Sequence, residues 1–259
     1  QTNVDTISNN LANVNSVGYK AQGAQFKSLL YQTLQSPATT ANGEPKPTSS
    51  QVGLGVRTSS INGFFSQGSM LANDSETAFG IEGKGFFAYH DANGAIRYTR
   101  NGDLTWALGK NDGSQLVLTT SDGNPILDVN GKEIRVDGNR IASRLKVGGD
   151  GVITYPDEKG VTQSLGITVG LWQFENPGGL ERIGSTSFAV TQASGGALNE
   201  ATDKRLEHSK IRTGYLEGSN VNVATEMVNL IVAQRAYEMN STSIRTTDEM
   251  MQTANQLKR

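Results

Sequence analysis

Cysteine is absent from this 259-residue chain. That excludes disulfides and thiolate metal sites, and leaves the compartment open. Proline is scarce, 6 residues against 30 glycines, a balance that suits tight turns between strands better than a Pro-rich disordered chain. Aromatics reach 7% and all hydrophobics 36%, so any single core is small for the length. The formal charge is only −2 and no run of Lys and Arg exceeds two residues, which argues against a nucleic-acid partner. No apolar stretch approaches the roughly 20 residues a membrane span needs. No apolar signal segment opens the chain. It begins at Gln1, already in helical periodicity, which raises the expectation that an N-terminal piece precedes it.

The residues of common catalytic sites are also missing. His90 and His208 are the only histidines, far apart and not in metal-ligand spacing. There is no P-loop. Gly83-Lys84-Gly85 lacks the third glycine of a dinucleotide loop, and Gly218-Ser219 lacks the partners of a nucleophile elbow. Asp112-Gly113 and Asp122-Gly123 do not approach a calcium-loop pattern. Carboxylates are plentiful enough for a glycosidase pair, but a sequence does not show their separation. The chain is therefore expected not to be an enzyme and to use no catalytic residue, cofactor or metal.

What is present falls into successive compositions. Residues 1–35 carry helical spacing: Val4, Ile7, Leu11 and Val14 lie three, four and three apart, the spacing of a coiled-coil seam. Gly18 is a stop signal just beyond. Phe26, Leu29, Leu30 and Leu34 form a second short amphipathic stretch. Residues 36–60 are small and polar, interrupted by Pro37, Pro45 and Pro47 with a turn at Asn42-Gly43, and suggest a long extended loop. Residues 61–211 are punctuated by Asn-Gly and Asp-Gly pairs at Asn62, Asn93, Asn101, Asp112, Asp122, Asn130, Asp137 and Asp150. Such pairs are the strongest short hairpin signal, and their spacing suits an all-β domain. Strand character appears at 116–120, 167–172 and 188–191. Phe86 and Phe87 are expected in the β core. Arg100 fits a surface ion pair as well as an interface contact.

From Asn222, a plausible N-cap with Glu226 in the following turn, one long helix is expected. Val223, Leu230, Tyr237, Ile244 and Met251 recur at seven-residue intervals, and Met227 and Ile231 widen the stripe. Gln234, Ser241 and Asp248 occupy the other seam positions, so the stripe is thin and polar. Periodicity alone leaves open whether the end helices form a hairpin on their own β domain or pack among copies of the chain.

Three blocks then resemble a known family. Asp5-Thr6-Ile7-Ser8-Asn9-Asn10-Leu11-Ala12-Asn13-Val14-Asn15-Ser16-Val17-Gly18-Tyr19-Lys20 is similar to the N-terminal signature of the bacterial flagellar rod and hook (axial) proteins, with Val17 a mild departure. Gly83-Lys84-Gly85-Phe86-Phe87 and Tyr98-Thr99-Arg100-Asn101-Gly102 resemble its β-domain segment. Gly214-Tyr215-Leu216-Glu217-Gly218-Ser219-Asn220-Val221, with 227–231 and 234–238, resembles its C-terminal block. The length, 26–34 with Val52-Gly53-Leu54-Gly55-Val56, and 174–184 favour the distal-rod branch over proximal rod or hook.

The resemblance implies an α+β fold. Long N- and C-terminal helices would form a helical, coiled-coil-like inner domain (1–35 and 212–259), with a linker packing between subunits at 36–60 and an outer β domain at 61–211. It implies a hollow helical homopolymer, exported by the flagellar type III apparatus. The polymer would meet proximal rod proteins, the hook or hook–rod junction and the outer L/P-ring bushing, in the basal body between periplasm and outer membrane. Subunit contacts would fall on Val4, Ile7, Leu11, Val14 and the Val223–Met251 stripe, and on the amides of Asn9, Asn10 and Asn13. The rival from another class is a secreted all-β carbohydrate-binding or adhesin module, with Trp106, Trp172 and Tyr89 as a sugar platform.

Overall fold

A computed structural model describes residues 1–35, 50–109, 115–157 and 161–257. The Asp112-Gly113 turn and residues 36–49 of the expected loop, with Pro37, Asn42, Pro45 and Pro47, lie outside the described residues. Helix α1 is Thr2–Ala12. Strands β1 (Gln22–Ser28), β2 (Tyr31–Gln35), β3 (Ser50–Gly53) and β4 (Val56–Gly63) follow. Next come β5 (Met70–Ala72), β6 (Phe79–Glu82), β7 (Phe86–His90), β8 (Ile96–Thr99), β9 (Leu104–Leu108), β10 (Gln115–Thr120) and β11 (Arg135–Asp137). They are followed by β12 (Lys146–Val147), β13 (Val152–Pro156), β14 (Thr162–Thr168), β15 (Leu171–Gln173), β16 (Glu181–Arg182) and β17 (Ser187–Ala189). The chain closes with β18 (Leu198–Asn199), β19 (Lys210–Thr213), β20 (Tyr215–Glu217) and helix α2, Val223–Leu257.

The expected pair of long helices is not what forms. Among the described residues there are two α-helices, one of 11 residues and one of 35, and the rest of the ordered chain is mostly strand. Helix α1 is about 16 Å long and α2 about 52 Å, so α1 reaches only the first turns of α2. Val14 already lies in the turn beyond α1. Among the described residues, a helical inner domain built from both termini is therefore absent.

Residues 22–35 are not helical. β1 pairs antiparallel with β4, from Gln22↔Gly63 to Ser28↔Val56, and β2 pairs with β3, from Tyr31↔Gly53 to Gln35↔Ser50. Together they make a two-stranded arm. The 26/29/30/34 spacing mimics one helix face, but short apolar runs do not distinguish helix from strand. Here the partner strand decides, and it lies in the stretch expected to be loop.

Beyond the arm, β7 is the hub of the body. It lies inside a six-stranded sheet ordered β16-β17-β8-β7-β15-β18. Alternate side chains of a strand point to opposite faces. Phe87 and Tyr89 enter one core with Ile81, Leu104, Leu118 and Ile126. Phe86 and Ala88 enter the other with Tyr98, Leu127, Trp172 and Phe188. Phe86 and Phe87 are buried as expected, on opposite faces. Each buried phenylalanine is worth roughly 1.5–3 kcal/mol of transfer free energy. Phe65, Phe86, Phe174 and Phe188 meet edge to face at centroid distances of 5.2–6.0 Å.

The Asn-Gly and Asp-Gly signals divide by environment. Gly94, Gly123, Gly131 and Gly151 take positive φ in turns, as the pairs suggest. Asn62-Gly63 instead ends β4. Gly102 is kept bare by a close approach: an added Cβ would sit 1.6 Å from the Phe79 carbonyl oxygen. Gly102→Ala is therefore expected to lower stability by about 3 kcal/mol. Gly94→Ala, at φ +75° with open space around it, should cost about 1 kcal/mol. Urea midpoints of the two variants check the order; equal midpoints would refute the steric argument.

Candidate functional site: the junction of the chain ends

Three separate stretches of sequence meet at one buried point. Glu217, at the end of β20, accepts from Lys20 Nζ at 2.7 Å and from the Gly68 amide at 2.9 Å through Oε1. Its Oε2 lies 3.1 Å from Arg100 Nε, an ion pair without hydrogen-bond alignment. The side chains of Lys20 and Glu217 are 0% exposed and that of Arg100 1%. Arg100 also donates to the Gly83 carbonyl and lies over the Phe86 ring at 5.4 Å. It is thus neither a surface ion pair nor an exposed contact. Burial pushes the Lys20 ammonium below its ordinary pKa, with Arg100 adding to the effect and Glu217 opposing it. Burial likewise lowers Arg100, against the pull of Glu217 and Glu200.

Gly18 seals the junction. Its amide donates to the Glu217 carbonyl at 2.7 Å, and its φ is +70°. A Cβ there would lie 2.6 Å from the Arg100 carbonyl carbon. The helix stop expected at Gly18 is in fact this contact, since α1 ends at Ala12. Tyr19, fully buried, donates its hydroxyl to Asn9 Oδ1 at 2.8 Å and lies under the Arg182 guanidinium at 4.8 Å.

The sequence-designated contact residues distribute unevenly. Ile7 is buried, and Val4, Leu11 and Val14 are half-buried. Asn9, Asn10 and Asn13 are engaged within the chain: Asn10 with Gln22, Tyr19 and Glu226, and Asn13 with the Asn9 carbonyl. On α2, Leu230 is half-buried near the base, while Val223, Met227, Ile231, Tyr237, Ile244 and Met251 are exposed, from 41% to 65%. Asn222 caps α2, its Oδ1 accepting from the Thr225 amide at 3.1 Å. A cleft of about 450 Å³ opens between α1, the arm root and α2, lined by Thr6, Ile7, Gln22, Phe64, Glu226 and Val232.

Sequence reasoning missed two features. One is the Lys20–Glu217–Arg100 cluster, whose members sit in the three resembling blocks without any local sign of pairing. The other is the arm. It exposes Phe26, Leu29, Leu30, Tyr31, Leu34, Val52, Leu54 and Val56, with Leu30 87% exposed. The sugar platform is not assembled: Tyr89 and Trp172 are buried in different clusters, and Trp106 packs against the first.

Burial also raises the phenol pKa values of Tyr19, Tyr89 and Tyr98. The folded state then holds protons that the unfolded state has released. Stability from these groups is therefore present below the ordinary phenol pKa and lost as pH rises through the folded values. An alkaline series of urea midpoints should fall as pH rises from the ordinary phenol pKa through the folded values; a flat series would contradict the burial of the three phenols.

The fold thus defines a class: a closed β-rich body from which an apolar arm and a long helix project. No helix among the described residues is long and apolar enough to cross a membrane. Residues 212–257 match the model of the flagellar basal body rod FlgEFG protein C-terminal region. Residues 80–155 match the flagellar hook protein FlgE/F/G D1 domain, and 1–20 the flagella basal body rod protein. The chain is 40% identical to flagellar basal-body rod protein FlgG of Buchnera aphidicola subsp. Schizaphis graminum, over 99% of this chain and 94% of the relative. It is 38% identical to that of Borreliella burgdorferi and 37% identical to that of Caulobacter vibrioides, over 100% of this chain and 94% of each relative. The chain belongs to the flagellar basal-body rod protein family, a family of structural proteins of the bacterial flagellum.

Proposed function

We propose that this chain is a structural subunit of the distal rod. Copies assemble into a hollow helical shaft that carries motor torque to the hook and leaves a channel for export. The observation that carries this reading is the unburied apolar surface of the arm and α2, on a body that already has its own closed cores. Exposed apolar surface on this scale marks an interaction site. A head-to-tail interface that does not close gives an open filament.

The polar character of α2 suits such packing. Thr242, Ser243, Thr246, Thr247 and Thr253 donate their hydroxyls to carbonyls four residues back. These hydroxyls are already paired before a neighbour arrives, so covering them leaves no orphan donor. The exposed members of the stripe, Val223, Met227, Ile231, Tyr237, Ile244 and Met251, supply the apolar contact. The arm lies across neighbouring subunits and restricts sliding between them. Torsional stiffness follows from close-packed contacts, because packed interiors resist deformation.

Proximal rod proteins, the hook or hook–rod junction, the L/P-ring bushing and the export apparatus are the partners this reading assigns. Electron microscopy of purified basal bodies carrying a label on this chain tests it. Label between the proximal rod and the hook is the expected result; label confined to the proximal rod or the hook would overturn the assignment.

A further inference from the structure

We propose that Asn10 and Asn220 are positioning residues that clasp the root of the arm and fix the direction in which the arm and α2 leave the body. The last pair of the arm ladder is Gln22↔Gly63. Beyond it the entering and leaving strands share one more backbone bond, from the Phe64 amide to the Ala21 carbonyl at 2.8 Å, and their other backbone groups need partners from elsewhere. Asparagine suits the task because its amide carries donors and acceptors like a peptide group.

Asn10 fills that role on the entry side. Its Oδ1 accepts from the Gln22 amide at 2.9 Å, and its Nδ2 donates to the Gln22 carbonyl at 2.8 Å. One side chain thus pairs both backbone groups of Gln22, as a neighbouring strand would. The second amide hydrogen goes to Glu226 Oε2 at 3.3 Å, in the first turn of α2, and the Tyr19 hydroxyl, which donates to Asn9, lies 3.2 Å from Oδ1. Asn10 is 1% exposed, and both of its amide donors are occupied. It joins α1, the arm and α2 through a single group.

Asn220 bridges entry and exit. Its Oδ1 accepts from the Ala21 amide at 2.7 Å, while Nδ2 donates to the carbonyls of Phe64 at 2.8 Å and Ser66 at 3.1 Å. Lys20 Nζ donates to the same Ser66 carbonyl at 2.7 Å, tying the clasp to the buried cluster. Asn220 stands just before α2, so the arm and the helix are referred to one fixed point. A rod subunit needs this geometry set before it meets its neighbours; the inference rests on the rod reading only for that consequence.

The absence of cysteine makes the test direct. Spin labels on Gln32→Cys in the arm and Gln234→Cys on α2, both exposed sites, report the separation of arm and helix in the purified full chain. The parent should give one narrow distance distribution. Asn10→Ala and Asn220→Ala should each broaden it about twofold, because unpaired root groups exchange the clasp for water. Asn10→Asp should broaden it more, since it cannot donate to Gln22 and places a second carboxylate beside Glu226. Ile153→Val, a core change remote from the clasp, controls for general loss of stability and should leave the width unchanged. Widths unchanged in all three asparagine variants, or broadening by Ile153→Val as large as theirs, would overturn the proposal. Broadening in the asparagine variants alone, combined with full motility of the same variants in cells, would uphold the clasp and refute its bearing on rod assembly.

Discussion

Glu217→Leu is expected to cost the folded protein on the order of 3–5 kcal/mol, enough to unfold much of the population. The carboxylate is the only anion in direct contact with Lys20 and Arg100 among the described residues, and all three side chains are buried. Leucine fills similar space and offers no charge. Two cations would then be buried without a counter-ion, a far costlier state than an unmade surface pair. Lys20, already lowered by burial, escapes by losing its proton. Arg100 has no such route, because guanidinium does not deprotonate in proteins.

The Gly68 amide would also lose its acceptor. Glu217→Gln keeps an acceptor for Gly68 and Lys20 but not the charge, so it should fall between parent and leucine. Lys20→Met added to Glu217→Leu should recover part of the loss, since removing a whole ion pair is often close to neutral. Urea midpoints of the four proteins test the series. A Glu217→Leu midpoint equal to the parent's would refute the account, and so would a double variant less stable than the single one.

That cluster also shows where the sequence stops being legible. Lys20, Arg100 and Glu217 were each visible inside a resembling block, but their meeting depends on contacts about 80 to 200 residues apart in the chain. Nothing local distinguishes a buried arginine from a solvated one, and Arg100 read equally well as an exposed partner. Short-range chemistry was readable. The Asn222 cap, the unbroken run of α2, the turns at Gly94, Gly123, Gly131 and Gly151, and the burial of Phe86 and Phe87 all follow from signals within a few residues.

The arm was not readable for a different reason. Phe26, Leu29, Leu30 and Leu34 satisfy a helical template, and only pairing with 50–63 puts Phe26 and Leu34 in strands with Leu29 and Leu30 in the link between them. The expectation of two long end helices failed in the same way. The spacing of Val4, Ile7, Leu11 and Val14 gives a face but not a length, and α1 stops at Ala12, where the turn toward Gly18 begins.

Ile231→Asp combined with Ile244→Asp is expected to abolish rod assembly and motility while leaving the isolated subunit as stable as the parent. The two parts of that outcome have separate causes. Ile231 and Ile244 are 56% and 64% exposed, so their apolar area is not covered within the chain. Surface substitutions away from buried contacts change stability by about 0.5 kcal/mol or less. In a packed helix–helix contact the same aspartates become desolvated charges without partners. Each then opposes association by several kcal/mol, repeated at every subunit of the polymer.

A head-to-tail filament repeats the defect at every contact, because each copy brings its altered face to one neighbour and receives the altered face of another. The arm supplies an independent check. Leu30→Asp with Leu34→Asp, at 87% and 64% exposure, should also stop assembly without unfolding the body. Leu11→Asp with Leu230→Asp, both half-buried at the base of the helices, should instead lower subunit stability as well. Melting curves of purified subunits, set beside swimming halos and electron micrographs of basal bodies, separate the cases. Normal rods built from the Ile231/Ile244 or the Leu30/Leu34 variant would mean that the corresponding surface faces water in the assembled flagellum, and its place in the shaft would have to be abandoned.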